Sequence, residues 1–234
     1  MSAEVSFAGM VESVGRSQEK RTVPQAGEWN PEDFAREQIR GLVRQVFFSN
    51  VVKPVRQVVF SALDPETDGK SICRRVGEAL ALETVETIAV VGEYPQVLQD
   101  GETYQPEMKD RTAKDGGAPL RQAVTRVRGN LWLVPAARMD GDRGTTAWLH
   151  SYLGDVRREF EFSIVEAQPT GESNEATAMA QFADGIILVL SADHTRPILA
   201  RQIKEKLERA QARILGTVLI DRVFPIPERI YRRL

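Results

Sequence analysis

Cysteine and histidine are scarce in this 234-residue chain. Cys73 is the single cysteine, which excludes an intrachain disulfide and fits a reducing compartment such as the cytosol. His150 and His194 are the two histidines, so a metal site built from histidine and cysteine is not expected.

Long apolar runs and an excess of charge are also missing. No run approaches the roughly 20 apolar residues that a membrane-spanning helix needs, and the opening residues lack the apolar core of a signal peptide. With 31 basic and 33 acidic residues the formal net charge is −2, which gives no electrostatic reason for nucleic-acid binding. We therefore expect a cytoplasmic protein that binds no nucleic acid.

Apolar runs alternate with amphipathic helical segments along most of the chain. This alternation predicts an α/β fold, a parallel sheet covered by helices on both faces. Residues 92–129 carry no sustained pattern and are expected to form a mobile loop. The predicted strands cover residues 58–62, 87–91, 130–135, 162–166, 185–190 and 214–220, and the predicted helices cover 71–82, 145–160, 173–182 and 196–210.

The N-terminal part divides into a tail and a helix. Residues 1–30 are polar and aperiodic, which predicts a flexible tail ahead of one domain over residues 31–234. Asn30 followed by Pro31 is typical of a helix start, and the helical pattern continues to residue 47. Two interpretations stay open for this helix. It either packs on the core with a solvated basic edge, or it forms an oligomer contact through Glu37 and Arg40.

A phosphate-binding loop is predicted directly after the strand over 58–62. A polar loop leads into Gly69-Lys70-Ser71 at the start of a helix, where free amides and the helix dipole attract phosphate. Lys70 would reach the terminal phosphates, and the Ser71 hydroxyl would ligate Mg²⁺. The residues predicted to contact a nucleotide are Asp68, Gly69, Lys70, Ser71 and Ile72.

This loop departs from the general pattern, which has a glycine at the position of Asp64. Asp64, Glu66 and Asp68 place three carboxylates beside the expected phosphate, and Pro65 lacks an N–H donor. The substitutions predict weak nucleotide binding or none.

Glu166 closes the apolar run over 162–166. In nucleotide-hydrolysing α/β proteins a carboxylate at a neighbouring strand end holds the Mg²⁺ shell. Glu166 is therefore the candidate catalytic residue and, together with Ser71, the candidate metal ligand. A structural strand-end carboxylate is the alternative.

Several segments resemble the bacterial tyrosine kinases. These kinases work with membrane polysaccharide chain-length regulators and are relatives of the MinD/ParA ATPases. ADGIILVL at 183–190, followed by Thr195 and Arg196, is similar to the family's ADGVILVV…T segment. FSIVEAQP at 162–169 and ILGTVL at 214–219 are similar to two further strands, and Glu37 with Arg40 fits the family's oligomerisation helix. The resemblance covers roughly residues 34–224.

The resemblance implies ATP and Mg²⁺ as cofactors, a chain-length regulator as partner, and self-association. The departures fall on the chemistry: Glu166 replaces an aspartate, Gly92 stands where a second acid is expected, and the C-terminal tyrosine cluster is reduced to Tyr231. Two functions follow. The first is a degenerate protein of exopolysaccharide biosynthesis or export, held peripherally at the inner membrane by its partner. The second is an active ATPase or protein tyrosine kinase using Lys70, Ser71 and Glu166.

Overall fold

The computed structural model describes residues 30–49, 53–92, 96–97, 103–104, 124–136 and 146–221. The predicted tail and Tyr231 lie outside these residues. The helices are α1 (Pro31–Val43), α2 (Gly69–Glu83), α3 (Thr146–Glu159), α4 (Glu175–Phe182) and α5 (Pro197–Arg209). The strands are β1 (Gln57–Ala62), β2 (Ile88–Gly92), β3 (Gln96–Val97), β4 (Thr103–Tyr104), β5 (Thr125–Arg128), β6 (Leu131–Pro135), β7 (Phe162–Ala167), β8 (Gly185–Ser191) and β9 (Ile214–Ile220).

Seven of the described strands form one sheet in the order β5-β6-β2-β7-β1-β8-β9. All neighbours pair in parallel except β5, which runs antiparallel to β6. The three strands predicted to be central, β7, β1 and β8, lie side by side, with Phe60 opposite Glu166 on one side and Ile187 on the other. The carboxyl ends of these strands therefore meet at one edge of the sheet.

Helices cover both faces of the sheet, as predicted. On one face, α1 and α2 pack against β1 and β2 in a core that includes Val43, Val76 and Val90. On the other, α3, α4 and α5 pack through residues such as Leu153 and Leu207. None of the described helices has both the length and the apolar character that crossing a membrane requires.

Close packing of α2 on the sheet depends on a glycine. A β-carbon at Gly77 would collide with the side chain of Val90 on β2. The absence of a side chain lets α2 lie directly on the strands, which places the start of this helix next to the end of β1.

The N-terminal helix begins as predicted, and its end differs. The Asn30 side chain accepts a hydrogen bond from the backbone N–H of Glu32 at 2.9 Å, and Pro31 stands in the first turn. The α-helix ends at Val43 and continues as one π-helical turn, Arg44–Phe48. Val43 and Phe47 are buried, so this helix packs on the core.

Residues 92–129 are expected to form a mobile loop, and this expectation is wrong for the parts of the region that the structure describes; residues 93–95, 98–102 and 105–123 lie outside the described residues. The structure has the antiparallel pair β3–β4 and the edge strand β5 within it. β5 reads TRVR and three of its four residues are exposed, so it lacks the apolar run that marks a buried strand.

Asp184 fixes the amino-terminal end of β1. Its Oδ2 accepts the backbone N–H groups of Arg56 and Gln57 at 2.8 and 2.9 Å, and the Arg157 guanidinium donates to Oδ1 at 2.9 Å. Burial by itself raises the pKa of the Asp184 carboxyl, but the three donors together lower it by more than burial raises it, so the net pKa lies below the usual value. The carboxylate stabilises the fold above the pKa of the unfolded chain, near 4.

We expect Asp184→Asn to lower the free energy of unfolding at pH 7 by about 1–3 kcal/mol, because the bond to Arg157 is charge-assisted. The gap between native and variant protein should close as pH falls through the depressed pKa. Urea unfolding from pH 7 to pH 3 measures it. Asp155→Asn, which removes an exposed pair with Arg158, should cost under about 1 kcal/mol. A pH-independent gap for Asp184→Asn would contradict this account.

Candidate functional site

The loop between β1 and α2 borders a cleft of about 480 Å³ at the carboxyl edge of the sheet. Gly69 and Lys70 line this cleft together with Glu166 from β7 and Gly92 from β2. The structure thus brings together the predicted loop and the predicted strand-end carboxylate. Among the residues that the structure describes, those lining the cleft are Phe60, Ala62, Pro65, Glu66, Thr67, Asp68, Gly69, Lys70, Gly92, Ala136, Glu166, Ala167, Gln168, Pro169, Glu172 and Glu175.

Two of the residues predicted to contact nucleotide do not line the cleft. Ser71 is exposed beside it, and the Ile72 side chain is 6% exposed within the core formed with α1. Ile72 would therefore reach a ligand through its backbone alone. Ser71 and Glu166, the two predicted Mg²⁺ ligands, therefore do not both line the cleft. Among the described residues there is also no group of three or more His, Cys, Asp or Glu side chains placed to hold a metal ion.

The start of α2 carries its own anion. Oδ1 of Asp68 accepts the backbone N–H of Ser71 at 2.9 Å, which makes Asp68 the N-cap of the helix. This is an N–H that a phosphate at a helix start would otherwise accept. Asp68, predicted to contact nucleotide, therefore takes a donor that the nucleotide would need.

Other amides of the loop are also engaged within it. The N–H of Thr67 donates to the carbonyl of Asp64 at 3.3 Å, and the N–H of Gly69 donates to the carbonyl of Thr67 at 2.9 Å. Pro65 has no N–H to offer. A phosphate-binding loop works by turning several N–H groups toward one centre, and these three positions do not supply them.

The carboxylate of Asp64 is bonded within the protein and does not line the cleft. Its Oδ2 accepts the Thr195 hydroxyl at 2.6 Å, and its Oδ1 accepts the hydroxyl of Thr67. Asp64 does not belong to the cleft lining, whereas Glu66 and Asp68 do. Of the three loop carboxylates noted in the sequence, two therefore face the cleft.

Glu166 lies half-buried near the end of β7, and its Oε2 is shielded from solvent. The β7–α4 connection that follows is tied to β1, because the Ser61 and Thr170 hydroxyls lie 2.6 Å apart and the N–H of Thr170 donates to the Ala62 carbonyl at 2.9 Å. A β-carbon at Gly171 would come within 2.5 Å of the Leu63 carbonyl oxygen. The close approach of these two loops explains why a glycine stands there.

Cys73 lies beneath the site and is fully buried. Burial raises the pKa of its thiol well above the usual value, and the charges of Glu166 and Asp68 raise it further. The thiol stays protonated at neutral pH, so Cys73 is not a nucleophile.

The charge of the lining opposes a triphosphate. Within the described residues it contains five carboxylates and one ammonium group, that of Lys70. Gly92 stands where the resemblance implies a second acid, and it contributes only backbone. Like charges near a polyanion lower its affinity unless a counter-ion intervenes. The charge of the described lining thus disfavours a triphosphate, while Lys70 and Glu166 are the lining groups that would meet its phosphates and its Mg²⁺.

We expect Asp68→Ala to lower the free energy of unfolding by about 1 kcal/mol, because the first turn of α2 loses its cap. Asp68→Asn should cost less, since an asparagine oxygen accepts the same N–H. Chemical denaturation of the three proteins measures the difference. Equal stability of the native protein and Asp68→Ala would show that the 2.9 Å bond contributes nothing.

Comparison with solved structures identifies the fold. No protein-family model and no curated protein sequence matches this chain. The kinase domain of the Escherichia coli tyrosine kinase ETK is similar over 90% of this chain and 86% of its own, at 12% identity and a TM-score of 0.63. The VpsO kinase domain is similar over 82% of this chain and 98% of its own, at 18% identity and a TM-score of 0.62.

The MinD cell division protein of Aquifex aeolicus is similar over 76% of this chain and 72% of its own, at 15% identity and a TM-score of 0.53. Similarity at this level of identity concerns the fold. The chain therefore has the α/β P-loop fold of bacterial tyrosine kinase domains and MinD/ParA-type ATPases, as the sequence resemblance predicts.

Proposed function

We propose that this chain is a degenerate, tyrosine-kinase-like P-loop protein that binds nucleotide weakly or not at all. It acts in bacterial exopolysaccharide biosynthesis or export, in the cytoplasm, as the partner of a membrane chain-length regulator. The observation that carries the first part is the self-capped start of α2, where Asp68 accepts the Ser71 N–H at 2.9 Å beside a cleft rich in carboxylates.

Repulsion between the cleft carboxylates and a phosphate costs binding free energy. At an effective dielectric near 20, one like-charge contact at 4 Å costs about 4 kcal/mol. Solvent screening reduces that figure strongly, yet about 1.4 kcal/mol is already a tenfold loss of affinity. Glu66 and Asp68 both line the cleft, and a phosphate at the helix start also has to displace the Asp68 cap. These costs add to the loss of loop amides.

The partner is supported by the sequence resemblance and by the structural likeness to tyrosine kinase domains. A protein of this kind keeps the surfaces that contact other chains after its chemistry has eroded. α1 offers such a surface: Glu37 and Arg40 form an intrahelical pair at 3.8 Å, with side chains 63% and 39% exposed. Val43 and Phe47 hold the same helix on the core.

An active ATPase or protein tyrosine kinase is the second candidate. The observation in its favour is that Lys70 and Glu166, an ammonium group for phosphates and a strand-end carboxylate, line the same cleft. In that case Lys70 would offset phosphate charge and Glu166 would hold the metal shell. Nucleotide affinity separates the two candidates.

We expect calorimetric titration with Mg-ATP to give a millimolar or undetectable dissociation constant for the native protein and for Lys70→Ala alike. The reason is the missing amide nest and the acidic lining. A binding protein at 100 times its dissociation constant would instead gain about 2.7 kcal/mol of stability.

Lys204→Ala is the matched control, because Lys204 is an exposed lysine on α5, paired with Glu208. A micromolar constant that Lys70→Ala abolishes and Lys204→Ala leaves intact would overturn the degenerate assignment and establish the active one.

We expect reversal of both charges, Glu37→Arg with Arg40→Glu, to change the molecular mass measured by light scattering while circular dichroism stays the same. The exchanged pair keeps its i, i+3 spacing within α1, so the fold loses little. Any surface outside α1 that recognises Glu37 and Arg40 of a second copy meets the wrong sign.

The same exchange at Lys204 and Glu208 on α5, an i, i+4 pair at 3.6 Å, serves as control and should leave the mass unchanged. An oligomer whose mass survives the exchange at Glu37 and Arg40, or a protein that is monomeric from the start, would refute self-association through ionic contacts between α1 and another surface.

A further inference from the structure

Neighbouring connections hold the β1–α2 loop on both sides. On the β7 side the bonds are backbone bonds: the N–H groups of Thr170 and Gly171 donate to the carbonyls of Ala62 and Leu63 at 2.9 and 3.1 Å. On the β8 side, past Leu63, the carboxylate of Asp64 makes the link. The Thr195 hydroxyl, in the β8–α5 connection, donates to it at 2.6 Å.

The direction of the Thr195 bond is fixed by its surroundings. The Thr195 hydroxyl accepts the backbone N–H of Ser191 at 3.0 Å, and the N–H of Thr195 donates back to the Ser191 carbonyl at 3.0 Å. The single hydroxyl proton is thereby directed to Asp64. A hydroxyl-to-carboxylate bond of this length is charge-assisted and stronger than one between neutral groups.

Inside the loop, Asp64 also accepts hydrogen bonds from Thr67. Its second oxygen accepts the Thr67 hydroxyl, and its carbonyl accepts the Thr67 N–H at 3.3 Å. Thr67 is buried, with 6% of its surface exposed. One residue therefore joins the loop to itself and to the β8–α5 connection.

A phosphate-binding loop is normally gathered by the anion it binds, because the phosphate accepts from many donors at once. Here a fixed carboxylate stands at the position of the pattern's first glycine and accepts two hydroxyls. We propose that Asp64 is a positioning residue that replaces the bound phosphate, ordering the loop through Thr195 and Thr67 in the absence of nucleotide. This proposal rests on the proposed function in one respect, since both take the loop to be without a bound nucleotide.

Hydrogen exchange of the native, nucleotide-free protein tests this. Thr195→Val removes the hydroxyl with little change of shape, and we expect the amides of residues 63–67 to exchange about tenfold faster or more. Asp64→Ala should do the same. The double variant should exchange no faster than Asp64→Ala alone, because both changes remove one shared bond.

Two control variants and one internal reference accompany this measurement. Thr195→Ser keeps the hydroxyl and should retain the native exchange rate, and His194→Ala changes an exposed neighbour in the same connection and should have no effect. The amides of β1 should stay protected throughout, which separates local loosening from unfolding. Native exchange at 63–67 in Thr195→Val, or additive effects in the double variant, would overturn the role of Asp64.

The outcome is separable from that of the proposed function. If native protein bound Mg-ATP at micromolar concentration while Thr195→Val still loosened the free loop, the degenerate assignment would fail and the role of Asp64 would hold. If Mg-ATP binding were absent and the loop stayed protected in Thr195→Val, the degenerate assignment would hold and the role of Asp64 would fail.

Discussion

The complete burial of β1 between two parallel neighbours is the constraint on which the rest of the structure depends. All six of its residues are buried, and it pairs with β7 on one side and β8 on the other. Buried backbone groups need partners, so a strand in this position has no freedom to shift register. Asp184 anchors its amino end, and the connections after β7 and β8 hold the loop at its carboxyl end.

Hydrogen bonds to the neighbouring connections therefore hold this loop from two sides. Asp64 stabilises the loop through hydroxyls and Asp68 stabilises it through the first turn of α2, and Asp68 also lines the cleft that a phosphate would enter. At the start of α2, stability and nucleotide affinity therefore compete for one donor, the Ser71 N–H. This competition gives a physical reason for the proposal that this chain keeps the stability of the P-loop fold at the expense of nucleotide affinity.

The predicted strands, and the predicted helices after the first, lie where the structure has them, with ends that agree or differ by one or two residues, because buried strands and amphipathic helices leave their mark in the local sequence. β9 spans the predicted 214–220, and α5 begins at Pro197, one residue after the predicted start. β5 was not predicted, because an exposed edge strand reading TRVR has no apolar run. The π-helical turn after Val43 was also hidden, because its apolar spacing resembles that of an ordinary helix.

The sequence by itself determined the α/β fold, the loop that opens α2, and the placement of Glu166 at a neighbouring strand end, because each depends on a short stretch of chain. Only the tertiary structure decided which way the loop carboxylates turn. Asp64 meets Thr195 across 131 positions of sequence, and Ile72 turns into a core that α1 completes. Such pairings come from the sheet, which brings distant strand ends to one edge, and no local pattern of residues records them.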